Sequence, residues 1–190
     1  MPTLVDADKA LERLRDGNAR FVRNQLDGPR TDPEYRLALT HEQDPFAVIV
    51  SCADSRVVPE VLFDQGLGDL FIIRVAGNVA NSSSIASVEY AVASIDVRLV
   101  LVLGHTACGA VTAARDSDER QGNLGRLLTH IDPVIDPELS LTDVIRANAQ
   151  HQATQMLKRS PAMQAVPGLR VESAVYDLHT GVVEAVHTPT

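Results

Sequence analysis

The chain has 190 residues, 45% of them apolar and 22% charged, with a formal charge of −8 and no tryptophan. That length suits a single unit over residues 1–190 with a Val/Leu/Ile/Ala core, and the acidity excludes a nucleic-acid or anionic-membrane partner, because phosphate binding needs clustered positive charge. Two cysteines make no disulfide framework, no apolar run approaches the ~18 residues of a membrane span, and no signal peptide is expected ahead of Asp6. The chain therefore reads as soluble and cytoplasmic.

Residues 1–35 read as an N-terminal helical arm. Its helix runs from Asp6 to Asn24 with Leu11, Leu14, Phe21 and Val22 on one side, weakened by Gly17, and Gln25 to Pro33 is loop. Phe46 to Ser51 is an apolar, β-branched run after Pro45, the pattern of a strand buried on both faces. Pro59 fits the first turn of a short helix, Glu60 to Asp64. Leu70 to Val75 and Leu99 to Gly104 repeat the buried-strand pattern, and Ser82 to Ser84 cap a helix running through Ile85, Val88, Tyr90, Ala91 and Ile95. A helix follows from Gly109 to Arg115, then a polar loop from Asp116 to Gly125. Ser140-Leu-Thr-Asp143 has the form of a capping box and opens a long helix that ends before Pro161. Val171 to Asp177, a turn at Gly181, and Val182 to Val186 predict a strand and an antiparallel edge strand. The order gives an α/β fold: a mainly parallel central sheet flanked by helices.

The only two cysteines fall where apolar runs stop, in Cys52-Ala-Asp-Ser-Arg56 and His105-Thr-Ala-Cys108. In a parallel α/β sheet, ligands and chemistry collect outside the carboxyl ends of the strands. Taken alone, Cys52 reads as a small buried hydrophobe. Taken with His105 and Cys108, it completes two sulfurs and one nitrogen with an open fourth position, a catalytic zinc arrangement. The other histidines (His41, His130, His151, His179, His187) have no matching spacing.

Asp54 and Arg56 give the open position a purpose. Two thiolates make zinc formally neutral, so its bound water ionises less readily than at three imidazoles, and activity should rise toward alkaline pH. Asp54 can accept a hydrogen bond from that water, and Arg56 can fork onto the carboxylate and keep it off the metal. Ser55 reads as a helix cap.

These segments resemble the β-class carbonic anhydrases. Cys-Ala-Asp-Ser-Arg-Val and Gly-His-Thr-Ala-Cys-Gly-Ala are that family's two signatures, and the likeness extends through 69–78, 87–92 and 17–21. The resemblance implies one Zn2+ on Cys52, His105 and Cys108, with Asp54 and Arg56 as the catalytic pair. It implies reversible hydration of CO2 to bicarbonate and a proton by zinc-bound hydroxide. It also implies a homodimer or dimer of dimers with the site at the subunit boundary. Gln43, Phe71 and Tyr90 stand where plant-like members line the CO2 pocket, and Gly109 matches a glycine whose N–H approaches the site. Some bacterial members bind bicarbonate through Trp, Arg and Tyr; Arg74 and Tyr176 correspond to two of these, but Ile49 replaces the Trp. Two other readings stay open at this point: a CS2 or carbonyl sulfide hydrolase on the same scaffold, and a non-catalytic zinc- or anion-binding protein.

Overall fold

A computed structural model describes residues 5–28, 30–117 and 120–186. Pro29, Asp118, Glu119 and His187 therefore lie outside the described residues. The helices are α1 (Ala7–Val22), α2 (Pro33–Ala38), α3 (Pro59–Leu62), α4 (Ser82–Ser94), α5 (Gly109–Asp116), α6 (Gly122–Leu128), α7 (Leu141–Arg159) and α8 (Pro161–Gln164). The strands are β1 (Ala47–Ser51), β2 (Leu70–Arg74), β3 (Leu99–His105), β4 (Arg170–Tyr176) and β5 (Val183–Val186). They form one sheet in the order β2-β1-β3-β4-β5, parallel throughout except for β5, which runs antiparallel to β4.

Every residue of β1 and β3 is buried, as expected for central strands covered on both faces. Alternation sorts their side chains. Ala47, Ile49, Leu99, Leu101 and Leu103 pack beneath α1 and α3, with Ala10, Leu14, Leu62 and Phe63. Val48, Val50, Val100 and Val102 face the other way, against Val88, Val92, Ala153, Met156 and Met163 of α4, α7 and α8. A third apolar cluster caps the carboxyl edge and contains Cys52, Cys108, Val79, Val111, Leu128, Ile131 and Ile145.

Local signals set most helix starts. Asp6 caps α1 by accepting from Lys9 N–H, and Ser140 caps α7 by accepting from Asp143 N–H. At α4 the cap is Asn81 and not one of the serines; its side chain accepts from Ser84 N–H. The expected loop at 116–125 is shorter than the sequence implied, because α6 begins at Gly122 in spite of its glycines. Helices α2 and α8, both starting on proline after an Asp or Ser cap, are too short for periodicity to reveal.

Gly17 has a reason that helix propensity hides. It is buried in α1 where the helix meets the α3 end, and an added Cβ would sit 1.8 Å from the Phe63 carbonyl oxygen. On an open helix Gly→Ala stabilises by about 1 kcal/mol. Here we expect Gly17→Ala to destabilise by about 1–3 kcal/mol through overpacking, read by urea denaturation. Unchanged or increased stability would show that α1 can lift off the sheet without cost.

Candidate metal centre and active site

Each sulfur and the imidazole arrive from a strand end. Cys52 follows the last residue of β1, His105 is the last residue of β3, and Cys108 is the N-cap of α5. The turn between His105 and Cys108 depends on Ala107, whose φ of 54° is left-handed and costs a non-glycine residue about 1–2 kcal/mol. That reversal brings Cys108 back beside His105. The ligand atoms of Cys52, His105 and Cys108 lie within 4.8 Å of one another, and all three residues are buried. The two Sγ atoms are 4.0 Å apart. Sulfurs on one tetrahedral zinc, each at about 2.3 Å, would be separated by roughly 3.8 Å.

The histidine is oriented for a ligand. Its Nδ1 is 2.9 Å from the Thr106 carbonyl, which can only accept, so Nδ1 carries the proton and Nε2 keeps a lone pair. Nε2 is buried and without a hydrogen-bond partner. An unsatisfied ring nitrogen is costly in an apolar cluster, and together with two converging sulfurs it is the signature of a metal position. Gly77 N–H donates to Cys52 Sγ at 3.3 Å.

At the mouth, Arg56 grips Asp54 with three bonds. Its backbone N–H and Nε donate to Oδ1 at 2.9 Å each, and Nη2 donates to Oδ2 at 2.7 Å. The Arg56 side-chain bonds hold the Asp54 carboxyl well below the usual carboxylate range, against the opposing effect of burial. Asp54 Oδ2 stands 3.8 Å from His105 Nε2, close to the ligand atoms but committed to the guanidinium.

Arg74 and Tyr176 have other occupations. Arg74 donates to the backbone carbonyls of Cys52 at 3.2 Å and Asp54 at 2.7 Å, clamping the loop that bears both residues. Tyr176 and Ile49 are buried in the cluster under α1. Gly109 opens α5, where first-turn N–H groups have no intrahelical acceptor, and an added Cβ there would meet nothing within 4 Å. Gln43, Phe71 and Tyr90 are not gathered with the thiols. Gln43 is exposed ahead of β1. Phe71 pairs with Val48 near the start of β2, three residues before Arg74, roughly 10 Å along the strand. Tyr90 is 52% exposed on α4, its ring centroid 6.3 Å from that of Phe71. Sequence reasoning missed Gly77, Arg74 as a clamp, and the buried amides of α7. The signal for the last was present: Asn148 and Gln152 interrupt an apolar helical face.

A mainly parallel α/β sheet with a buried Cys2His cluster at its carboxyl edge and an ion pair beside it is an arrangement that could hold a metal ion and carry chemistry on it. The sequence pattern of the carbonic anhydrase family matches residues 47–183. The chain is 40% identical to a carbonic anhydrase of Mycolicibacterium smegmatis over 187 residues, covering 92% of this chain and 91% of that one. Its fold matches the β-carbonic anhydrase CafA of Aspergillus fumigatus with a TM-score of 0.74 at 25% identity, over 96% of this chain and 91% of that one. It also matches a crystal structure of the tetrameric β-carbonic anhydrases of Sordaria macrospora, with a TM-score of 0.73 at 23% identity over 84% and 89%. The chain belongs to the β-carbonic anhydrase family.

The two thiols share a proton before any metal enters. The bond with Cys108 holds the Cys52 thiol well below its ordinary value, while that same bond, with burial, pushes Cys108 up. These opposite directions favour one thiolate over two in the metal-free pair. Uptake of a divalent metal should release about one proton per chain, rising as the pH falls through the lowered Cys52 value, where both thiols are protonated beforehand. Calorimetry in buffers of different ionisation enthalpy measures this. Release of two protons at neutral pH would mean that the thiols do not share one.

Proposed function

We propose that the protein hydrates CO2 reversibly to bicarbonate and a proton at a zinc ion held by Cys52, His105 and Cys108. The observation that carries this is the buried, unpartnered Nε2 of His105 converging with two thiols beside an arginine-gripped carboxylate. Zinc, when bound, would supply the Lewis acidity that makes water nucleophilic, most fully toward alkaline pH with this two-thiolate donor set. The donor set fits: two soft sulfurs and an imidazole are a recurring zinc combination.

The chain's own residues do the rest. Asp54 stays ionised through the working range and acts only as an acceptor, so it favours a protonated oxygen beside the ligand atoms and turns away a bare anion. Arg56 occupies both carboxylate oxygens and fixes their direction, which keeps Asp54 oriented toward the reacting oxygen and not toward the ligand cluster. Arg74 holds the Cys52–Asp54 backbone in register with this pair. The walls around the thiols are apolar, including Val79, Val111 and Ile131, which suits a substrate with no proton donors.

The hydration assay that tests this uses stopped-flow mixing of CO2 with wild type and Arg56 variants. Arg56→Ala should fold and retain zinc but lose about 10- to 100-fold in rate, because the freed carboxylate can reach the ligand position. Arg56→Lys should recover only part, since an ammonium cannot make the two-pronged bond. A near-normal rate for Arg56→Ala would remove the gating role. Failure of the wild type to turn over CO2, with hydrolysis of carbonyl sulfide, would move the assignment to the sulfur substrate.

We also infer a homodimer or a pair of dimers in which a second copy completes each site. Phe71 and Tyr90 lie away from their own thiols, and exposed Gln43 precedes β1, which suits a pocket lined across an interface. The sheet edge supports this. Among the described residues β2 pairs with β1 alone, and its Leu70-Phe-Ile-Ile73 is half-buried, an apolar edge that an isolated chain would have to protect. The Sordaria macrospora enzymes of this fold are tetrameric. Tyr90→Arg should weaken association and lower activity on dilution with zinc retained, as followed by sedimentation. A fully active wild-type monomer at assay concentration would contradict the shared site.

A further inference from the structure

Helix α7 buries Val144, Ile145, Ala149, Ala153 and Met156, and on the same face it buries two amides, Asn148 and Gln152. These form one chain of hydrogen bonds. Ala80 N–H donates to Gln152 Oε1 at 2.9 Å, and Gln152 Nε2 donates to the His130 carbonyl at 2.8 Å and to Asn148 Oδ1 at 2.9 Å. Asn148 Nδ2 then donates to the Gly77 carbonyl at 2.9 Å. The ends are backbone groups with fixed roles: Ala80 N–H can only donate, and the carbonyls of His130 and Gly77 can only accept. The amide orientations have a single consistent solution.

The chain ends one residue from a proposed zinc ligand. Gly77 N–H donates to Cys52 Sγ at 3.3 Å while its carbonyl is held by Asn148, so both polar groups of this glycine are engaged. Gly77 has φ 66°, and an added Cβ would stand 2.8 Å from Ile131 Cδ1. The positive φ favours glycine there, yet glycine is also the residue most free to rotate. Removing the Asn148 bond restores the freedom that lets the N–H turn away from sulfur.

We propose that Asn148 is a positioning residue for the Cys52 thiolate, acting through Gly77; this rests on Cys52 being a zinc ligand. A hydrogen bond to the thiolate withdraws charge from sulfur and fixes its direction toward the metal. Partners of this kind set metal affinity and ligand electronics without touching the ion. The absence of a charge on Asn148 and Gln152 fits that task, since a buried carboxylate there would repel the thiolates.

The test compares wild type, Asn148→Leu and Met163→Ala; Met163 is buried in the cluster beneath α4 and serves as a purely structural control. Zinc affinity is read by competition with a chelator. A cobalt(II)-loaded sample gives the sulfur-to-metal charge-transfer band, and a cadmium-loaded sample gives the scalar coupling between the metal nucleus and the Gly77 amide proton. Asn148→Leu should bind zinc about 10- to 100-fold more weakly, shift the band to lower energy and lose the coupling. Met163→Ala should lower thermal stability and leave all three readings at wild-type values. If Asn148→Leu does not fold, Asn148→Asp at alkaline pH replaces it, because an ionised carboxylate of nearly the same shape has no proton for the Gly77 carbonyl. Wild-type affinity, band and coupling in the Asn148 variant would overturn the proposal, as would equal losses in Met163→Ala. A wild-type chain that takes up no metal at Cys52 would instead overturn the zinc reading itself, before any variant is compared.

Discussion

The side-by-side pairing of β1 and β3 is the constraint on which the rest of this molecule depends. It aligns Ser51 with Leu103 and so sets the residue after β1 beside the residues that end β3. Two thiols 56 residues apart in the chain thereby come within 4.0 Å. Because both strands are buried on both faces, a slip in register would turn their side chains toward the wrong apolar layer. The core therefore enforces the site's geometry, and no disulfide or long-range ion pair is needed to do it.

The site places polar atoms where an apolar environment makes them expensive to leave alone. Cys52 and Cys108 belong to an apolar cluster with Val79, Leu128 and Ile131, and His105 Nε2 has no hydrogen-bond partner. Low dielectric strengthens whatever interaction the ligand atoms make with a cation. Asp54 is treated oppositely: it sits at the mouth, with its charge secured by an exposed arginine. The thiols are buried, while the Asp54–Arg56 pair reaches the surface. This division lets a carboxylate stay ionised next to the thiols without being drawn among them.

Around this centre, groups far apart in sequence act on a few backbone atoms. Arg74 from β2 holds two carbonyls of the Cys52–Asp54 loop, and Asn148 from α7 holds Gly77. Each contact is to the main chain, so each fixes a direction more than it contributes a charge. The edge strand β2, with Phe71 facing Tyr90, carries the apolar surface that the sheet leaves uncovered at this side.

The amino-acid sequence by itself determined the strands, the main helices and the three residues that could hold a metal ion. Fully apolar runs such as Leu99–Gly104 have no stable place except between two helical layers, and Cys, His, Asp and Arg carry their chemistry wherever the chain puts them. The cap at Ser140 was legible because a capping box spans a single turn. Tertiary structure alone decided what depends on distant partners. The need for Gly17 lies in the Phe63 carbonyl, and the role of Asn148 lies in Gly77, 71 residues earlier. The short helices α2, α6 and α8 escaped notice because a few residues carry too little periodicity to stand above their prolines and glycines. Phe71 and Tyr90 show the same limit from the other side: pattern can match a residue to a pocket, but only the fold shows that the two rings meet beside β2 and not beside the thiols.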